Sequence, residues 1–113
     1  MNLKKIIWDN LKIPVIEDFA PIHTPCVTFY SSNDSTALIG NGNPTEETET
    51  FQIDIWCKKN TEVKKYTRML KAVIQETKGC TIPIVFYSYD NNGKTWRGNI
   101  TFEHLREDID YGN

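Results

Sequence analysis

Between Lys12 and Lys58 the chain has no lysine and no arginine. The same stretch holds seven acids: Glu17, Asp18, Asp34, Glu46, Glu47, Glu49 and Asp54. All 13 basic residues therefore lie outside it, with the other 8 of the 15 acids. A net charge of −2 thus conceals a −7 segment and a +5 remainder, an electrostatic dipole along the sequence. Cysteines are few and odd in number. Cys26, Cys57 and Cys80 stand far apart with no CxxC pair, so they read as reduced, mostly buried thiols and point to synthesis inside a cell.

Histidine is scarce too. His23 sits in a proline-rich stretch and His104 ends a strand pattern, and neither has cysteine or carboxylate at zinc-site spacing. No glycine-rich phosphate loop occurs, since "GNGNP" is not followed by a helix or by Lys-Ser/Thr. Glu46, Glu47 and Glu49 lack the spaced oxygens of a calcium loop and read as a solvated acidic loop. No run approaches eighteen apolar residues, so nothing spans a membrane. The N-terminal apolar stretch is broken by Asp9, Asn10 and Lys12, which makes it an amphipathic helix and not a signal peptide. No catalytic constellation, cofactor site or metal site is expected.

What is present is a pattern of short elements in 113 residues, enough for one domain over 1–113 with one core. Leu3, Ile6, Ile7 and Leu11 follow a helical stripe over 2–11, stopped by Pro14. Pro14, Pro21 and Pro25 then favour an extended path. "CVTFYSS" at 26–32 is a strand, "STALIG" at 35–40 a weaker one, and 41–49 a mobile acidic loop. A strand over 50–58 leads into a helix over 61–78, capped by Asn60 or Thr61. The stripe of that helix is Val63, Tyr66, Leu70, Val73, Ile74 and Thr77, and Gly79 ends it. Two strands, 81–89 and 94–104, are joined by "DNNG" with Asn92-Gly93 at the favoured turn position. Residues 105–113 are expected to fray. The order α-β-β(-β)-α-β-β with short connections predicts a two-layer α+β fold. It has an antiparallel sheet of about four strands with two helices.

One stretch raises a question. In "FQIDIWCK" the residues Phe51, Ile53, Ile55 and Cys57 point one way, and Gln52, Asp54, Trp56 and Lys58 the other. The polar side of this strand therefore carries a tryptophan. Strand 81–89 is also apolar on both sides, with Ile82, Ile84 and Phe86 on one and Val85, Tyr87 and Tyr89 on the other. A two-layer domain covers one face of its sheet, so the second needs the first helix or another subunit over it. A self-association surface with Trp56, Tyr87 and Tyr89 together satisfies this need, because aromatic residues are enriched in interface cores. Lys64, Arg68 and Lys71, at i, i+4 and i+7, form a basic helix face able to receive the acidic stretch around Glu46, Glu47, Glu49 and Asp54 of a neighbour.

The run of a short helix, a Pro-rich approach, "PCVTFY", an acidic Gly/Pro hairpin, "FQIDIWCK" leading into a basic amphipathic helix, and a hairpin ending in "GNITFEH" resembles a known family. It is similar to the tail-completion or tail-terminator proteins of long-tailed bacteriophages and prophages, in which "QIDIW" followed by a turn and a helix recurs. The resemblance covers about residues 3–104. It implies a ring, usually a hexamer, that joins the tail tube to the head-completion complex in the virion tail and is assembled in the host cytoplasm. It implies partners in the tail tube and head-completion proteins and in other copies of the chain. DNA would pass only through the lumen, and there would be no enzyme activity and no cofactor. The reading from residues alone leaves a second class open, a stand-alone protein-binding or adaptor module.

Overall fold

A computed structural model describes residues 1–16, 23–34 and 47–106. In chain order these form α1 (Leu3–Leu11), β1 (Cys26–Asp34), β2 (Glu47–Cys57), α2 (Asn60–Glu76), β3 (Ile84–Asp90) and β4 (Thr95–Arg106). The four strands make one antiparallel sheet in the order β1-β2-β4-β3. This is the α+β architecture and element order that the sequence pattern predicts.

The alternation in β2 sets the layers. Phe51, Ile53, Ile55 and Cys57 are buried and join Val27, Ile100 and Phe102 in one core with the helices. From α1 that core takes Leu3, Ile7 and Leu11; from α2 it takes Val63, Leu70 and Ile74. Both helices therefore lie on the same face of the sheet. Asn2 caps α1 through its side chain, and Lys12, in the left-handed region at φ 57°, ends it. Beyond α1, the chain bonds the outer edge of β1: the Val27 amide donates to the Pro14 carbonyl at 2.9 Å, and the Ile16 amide to the Val27 carbonyl at 2.7 Å.

Several expectations are corrected. The N-cap of α2 is Lys59, with no side-chain capping bond, rather than Asn60 or Thr61; Glu62 in the first turn still complements the helix dipole. Tyr66 packs half-buried against the core and Val73 is only half-buried, while Thr67, not expected in the stripe, is fully buried. The reason is across the sheet. A Cβ at Gly98 of β4 would collide with Thr67 Oγ1 and stand 3.2 Å from Val63 Cγ2, so the helix rests on a strand position without a side chain. The helix stops at Glu76 with Thr77 as an extended C-cap, two residues earlier than expected, and Gly79, at φ +87°, lies in the turn beyond it rather than at the helix end.

The β3–β4 connection spans residues 91–94, with Lys94 rather than Gly93 at positive φ, and the Asn92 amide donates to Asp90 Oδ1 at 3.1 Å. β3 begins at Ile84 rather than 81. Residues 79–81 run instead beside the end of β4: the Thr81 amide donates to the Glu103 carbonyl at 2.8 Å, and the Leu105 amide to the Gly79 carbonyl at 2.9 Å. Leu105 and Arg106 thus belong to β4 rather than to the tail. Glu47 and Glu49 are not in a loop but in β2, opposite Arg106 and His104. The strand proposed at 35–40, loop residues 41–46 with Glu46, and tail residues 107–113 lie outside the described residues.

Candidate functional site

The face of the sheet away from the helices is the candidate site. Strand register arranges it in rows. Tyr30, Gln52, Thr101 and Ile84 form one row, and Thr28, Asp54, Asn99 and Phe86 the next. Cys26, Trp56, Arg97 and Ser88 form a third.

The middle of this face is polar and cross-linked. The Trp56 indole N–H donates to Thr28 Oγ1 at 3.1 Å, and the Arg97 guanidinium lies over the Trp56 ring at 5.9 Å. Arg97 Nε donates to Asp54 Oδ1 at 2.7 Å. Asn99 Nδ2 reaches the same oxygen at 2.8 Å, and Thr101 Oγ1 donates to Asn99 Oδ1 at 3.1 Å. The tryptophan on the polar side of the strand thus has a physical account: its N–H is paired, its ring faces a cation, and it keeps partial solvent access. No described helix lies over it.

The apolar residues of this face stand at its margins. On β3, Ile84 is 60% and Phe86 68% exposed; on β1, Tyr30 is 53% exposed. That distribution corrects the sequence-based grouping of Trp56 with Tyr87 and Tyr89. β4 lies between β2 and β3, and its register sets Trp56 in line with Ser88, so Tyr87 and Tyr89 fall on the helix face. There Lys64 Nζ lies 6.0 Å from the centre of the Tyr87 ring, and Tyr89 meets Trp96 edge-on at 5.2 Å between centroids. Lys64 and Arg68 are exposed and Lys71 is half-buried, and the contact of Lys64 with Tyr87 sets that end of the basic helix face beside β3.

The acidic stretch does not form one patch. Asp54 is spent on Arg97 and Asn99. Glu49 lies seven residues up the strand from Trp56, about 23 Å away at strand rise.

At the other end, Trp56 forms one wall of an open cleft of about 410 Å³ with His23, Thr24, Lys58, Asp90 and Thr95. The cleft brings an imidazole, two threonine hydroxyls, a cation and a carboxylate to its walls. Among the described residues, no group of three His, Cys, Asp or Glu side chains is placed to hold a metal ion. No helix there is long and apolar enough to cross a membrane. All three cysteines are free. Burial pushes the Cys57 thiol up to about 11, with the nearby Glu62 charge adding to the effect, and burial also raises Cys26 and Cys80. Raised thiols are poor nucleophiles at neutral pH.

The residues that sequence reasoning missed are Arg97, Asn99 and Thr28. Period-two alternation in "KTWRGNITFEH" placed Arg97 and Asn99 on one side, which was a usable signal; that this side faces Trp56 depends on register. Comparison with models of known families finds no match, and neither does comparison with curated proteins.

Proposed function

We propose that this chain is a structural subunit of a tailed phage or prophage. In this reading it assembles head to tail into a ring, with a hexamer as the first expectation, that joins the tail tube to the head-completion complex. The observation that carries the reading is the uncovered sheet face, with Ile84 and Phe86 mostly exposed on its margin and no described element over them. Monomers rarely leave a contiguous apolar margin in water. A ring needs a heterologous interface, in which one patch meets a different one. The basic face of Lys64, Arg68 and Lys71 and the exposed margin of β1 with Tyr30 are two different surfaces of this kind. The resemblance of "FQIDIWCK" and its flanking elements to tail terminators supplies the identity of the ring.

In this reading the protein catalyses nothing and takes no cofactor. DNA passes through the lumen without specific contacts, and the assembled protein sits in the virion tail after assembly in the bacterial cytoplasm. The test is reconstitution. Purified protein mixed with isolated tail tubes should appear by electron microscopy as rings at one tube end and should restore joining to heads. Trp56→Ala, in the polar middle of the open face, should weaken joining to tubes or heads while the circular dichroism spectrum stays native. Tubes that remain bare at both ends would overturn the reading.

The free edge of β3, seven residues long, also suits a stand-alone binding module that captures an extended peptide. That reading expects a monomer with affinity for a peptide strand and no affinity for tail tubes.

A further inference from the structure

We infer that the β3 edge of one subunit pairs antiparallel with the β1 edge of a second copy, so that the sheet runs on from subunit to subunit. The inference rests on the ring reading for its closure and adds to it the surfaces that meet.

Four observations converge on this pairing. The outer edge of β3 has no partner among the described residues, and a long edge bordered by exposed apolar side chains is a template for strand addition. At the far side of the sheet, residues 14–16 bond the outer edge of β1 only at Val27, so residues 28–34, paired with β2 on their inner side, have no strand on their outer side among the described residues. That free length matches the seven residues of β3.

Direction also fits. The four strands alternate, so β1 and β3 run oppositely. An operator that carries one subunit into the next while preserving strand direction sets β3 antiparallel to the neighbouring β1. The alternation continues without a break, in the more stable ladder type.

The apolar residues fit as well. On the open face the exposed apolar side chains stand at the two margins, Ile84 and Phe86 on β3 and Tyr30 on β1, with the hydrogen-bonded network between them. Joining the margins brings these three side chains together across the junction and leaves the polar middle unchanged.

Charge selects the heterologous pairing over its main rival. Two β3 edges could pair around a two-fold axis, but both α2 helices would then flank the junction on the same side. Lys64, Arg68 and Lys71 would face their own copies, a like-charge arrangement. Pairing with β1 sets the same stripe against the helix side of the β1–β2 hairpin, where alternation puts Glu49, and against α1, whose Lys4, Lys5 and Lys12 stand with Asp9, a more mixed surface than a second copy of the stripe. Lys4 of α1 lines the cleft that holds Glu49 and offsets part of that charge. This side is still the less repulsive partner.

Cysteine cross-linking tests the pairing. Ser32 and Ser88 are exposed, lie on the open face and belong to the two edges concerned. Mild oxidation of the Ser32→Cys/Ser88→Cys double variant should give a covalent ladder beyond the dimer. A second double variant, Tyr30→Cys/Ser88→Cys, covers a register two residues away. Neither Ser32→Cys nor Ser88→Cys alone should cross-link. Phe86→Lys should weaken association at least about tenfold without changing the melting curve of the monomer. A covalent dimer from Ser88→Cys alone would mean that β3 meets β3 and would overturn the inference. An oligomer by native mass spectrometry in which neither double variant cross-links would overturn it too, while leaving the ring itself in place. A chain that stays monomeric and unlinked also overturns the edge pairing, and the ring reading then stands or falls on the tube-end reconstitution alone.

Discussion

The two faces of β2 hold the same strand in different ways. Toward the helices, Phe51, Ile53, Ile55 and Cys57 are essentially dry, and Phe51 stacks on Phe102 at 5.2 Å between centroids. Toward the open side, Gln52, Asp54 and Trp56 keep partial contact with water, and hydrogen bonds tie Asp54 and Trp56 to β1 and β4. The covered face is specified by volume, since a dry core responds to every missing or added methyl group. The open face is specified by pairing in a partly solvated setting, where each bond has a modest net worth. A change on the first should therefore cost the fold, and a change on the second should cost little in the isolated chain.

The sharpest way to break this contrast is Leu70→Ala in α2. Leu70 is fully buried, so chemical denaturation should show a loss of roughly 2–5 kcal/mol. A loss near zero would mean that α2 does not seal the covered face. Overfilling should act on the same face: Gly98→Ala places a methyl group against Thr67 Oγ1 and should cost about 1–3 kcal/mol. Adding Thr67→Ala should recover part of that loss. A strictly additive pair of substitutions would show that the helix does not rest on Gly98.

Base should weaken the covered face through Cys57. Its thiol is held up to about 11 against an ordinary 9.0, so the folded chain keeps a proton there that the unfolded chain releases. This contribution is intact below about pH 9 and falls by roughly 2 kcal/mol by about pH 11. The difference in slope between the parent chain and Cys57→Ala, measured by denaturant titration across that range, isolates it from the other groups that titrate there. The smallest effect belongs to the open face. Asp54→Asn should cost about 1 kcal/mol or less, because Arg97 is 38% exposed and its ion pair is partly screened. The difference from the parent chain should shrink further in high salt.

Local pattern carried much of the fold. Alternation sorted the seven residues from Phe51 to Cys57 of β2 onto the correct sides, and the apolar stripe located α2 to within two residues at its C-terminal end. What escaped the pattern depends on partners distant in sequence. Thr67 is inside because Gly98, on another element, leaves room for it; nothing near Thr67 in the chain shows that. Glu47 and Glu49 look like loop residues by composition, yet β1 extends to Asp34 and β4 to Arg106, which gives both a ladder to join. At the candidate site, Asp54 and Trp56 were legible as an odd pair on the polar side of their strand. Their engagement by Arg97, and the separation of Tyr87 and Tyr89 from them, follow from the order β1-β2-β4-β3, which one strand's periodicity does not encode.

That strand order also bears on how the chain reaches its native state. β4 follows the other elements in the chain, yet it lies inside the sheet, between β2 and β3, and α2 packs against it. Its ladder with β2 joins residues as distant as Glu47 and Arg106. As the chain leaves the ribosome, the β1–β2 hairpin, α2 and β3 all emerge before the strand that unites them. Until then β2 has an open edge and its apolar side lacks Ile100 and Phe102. Collapse of the whole domain therefore waits on closure of a long loop, which slows folding relative to a sheet built from successive hairpins. The incomplete chain is the species in which a sticky strand edge is most exposed to other nascent copies.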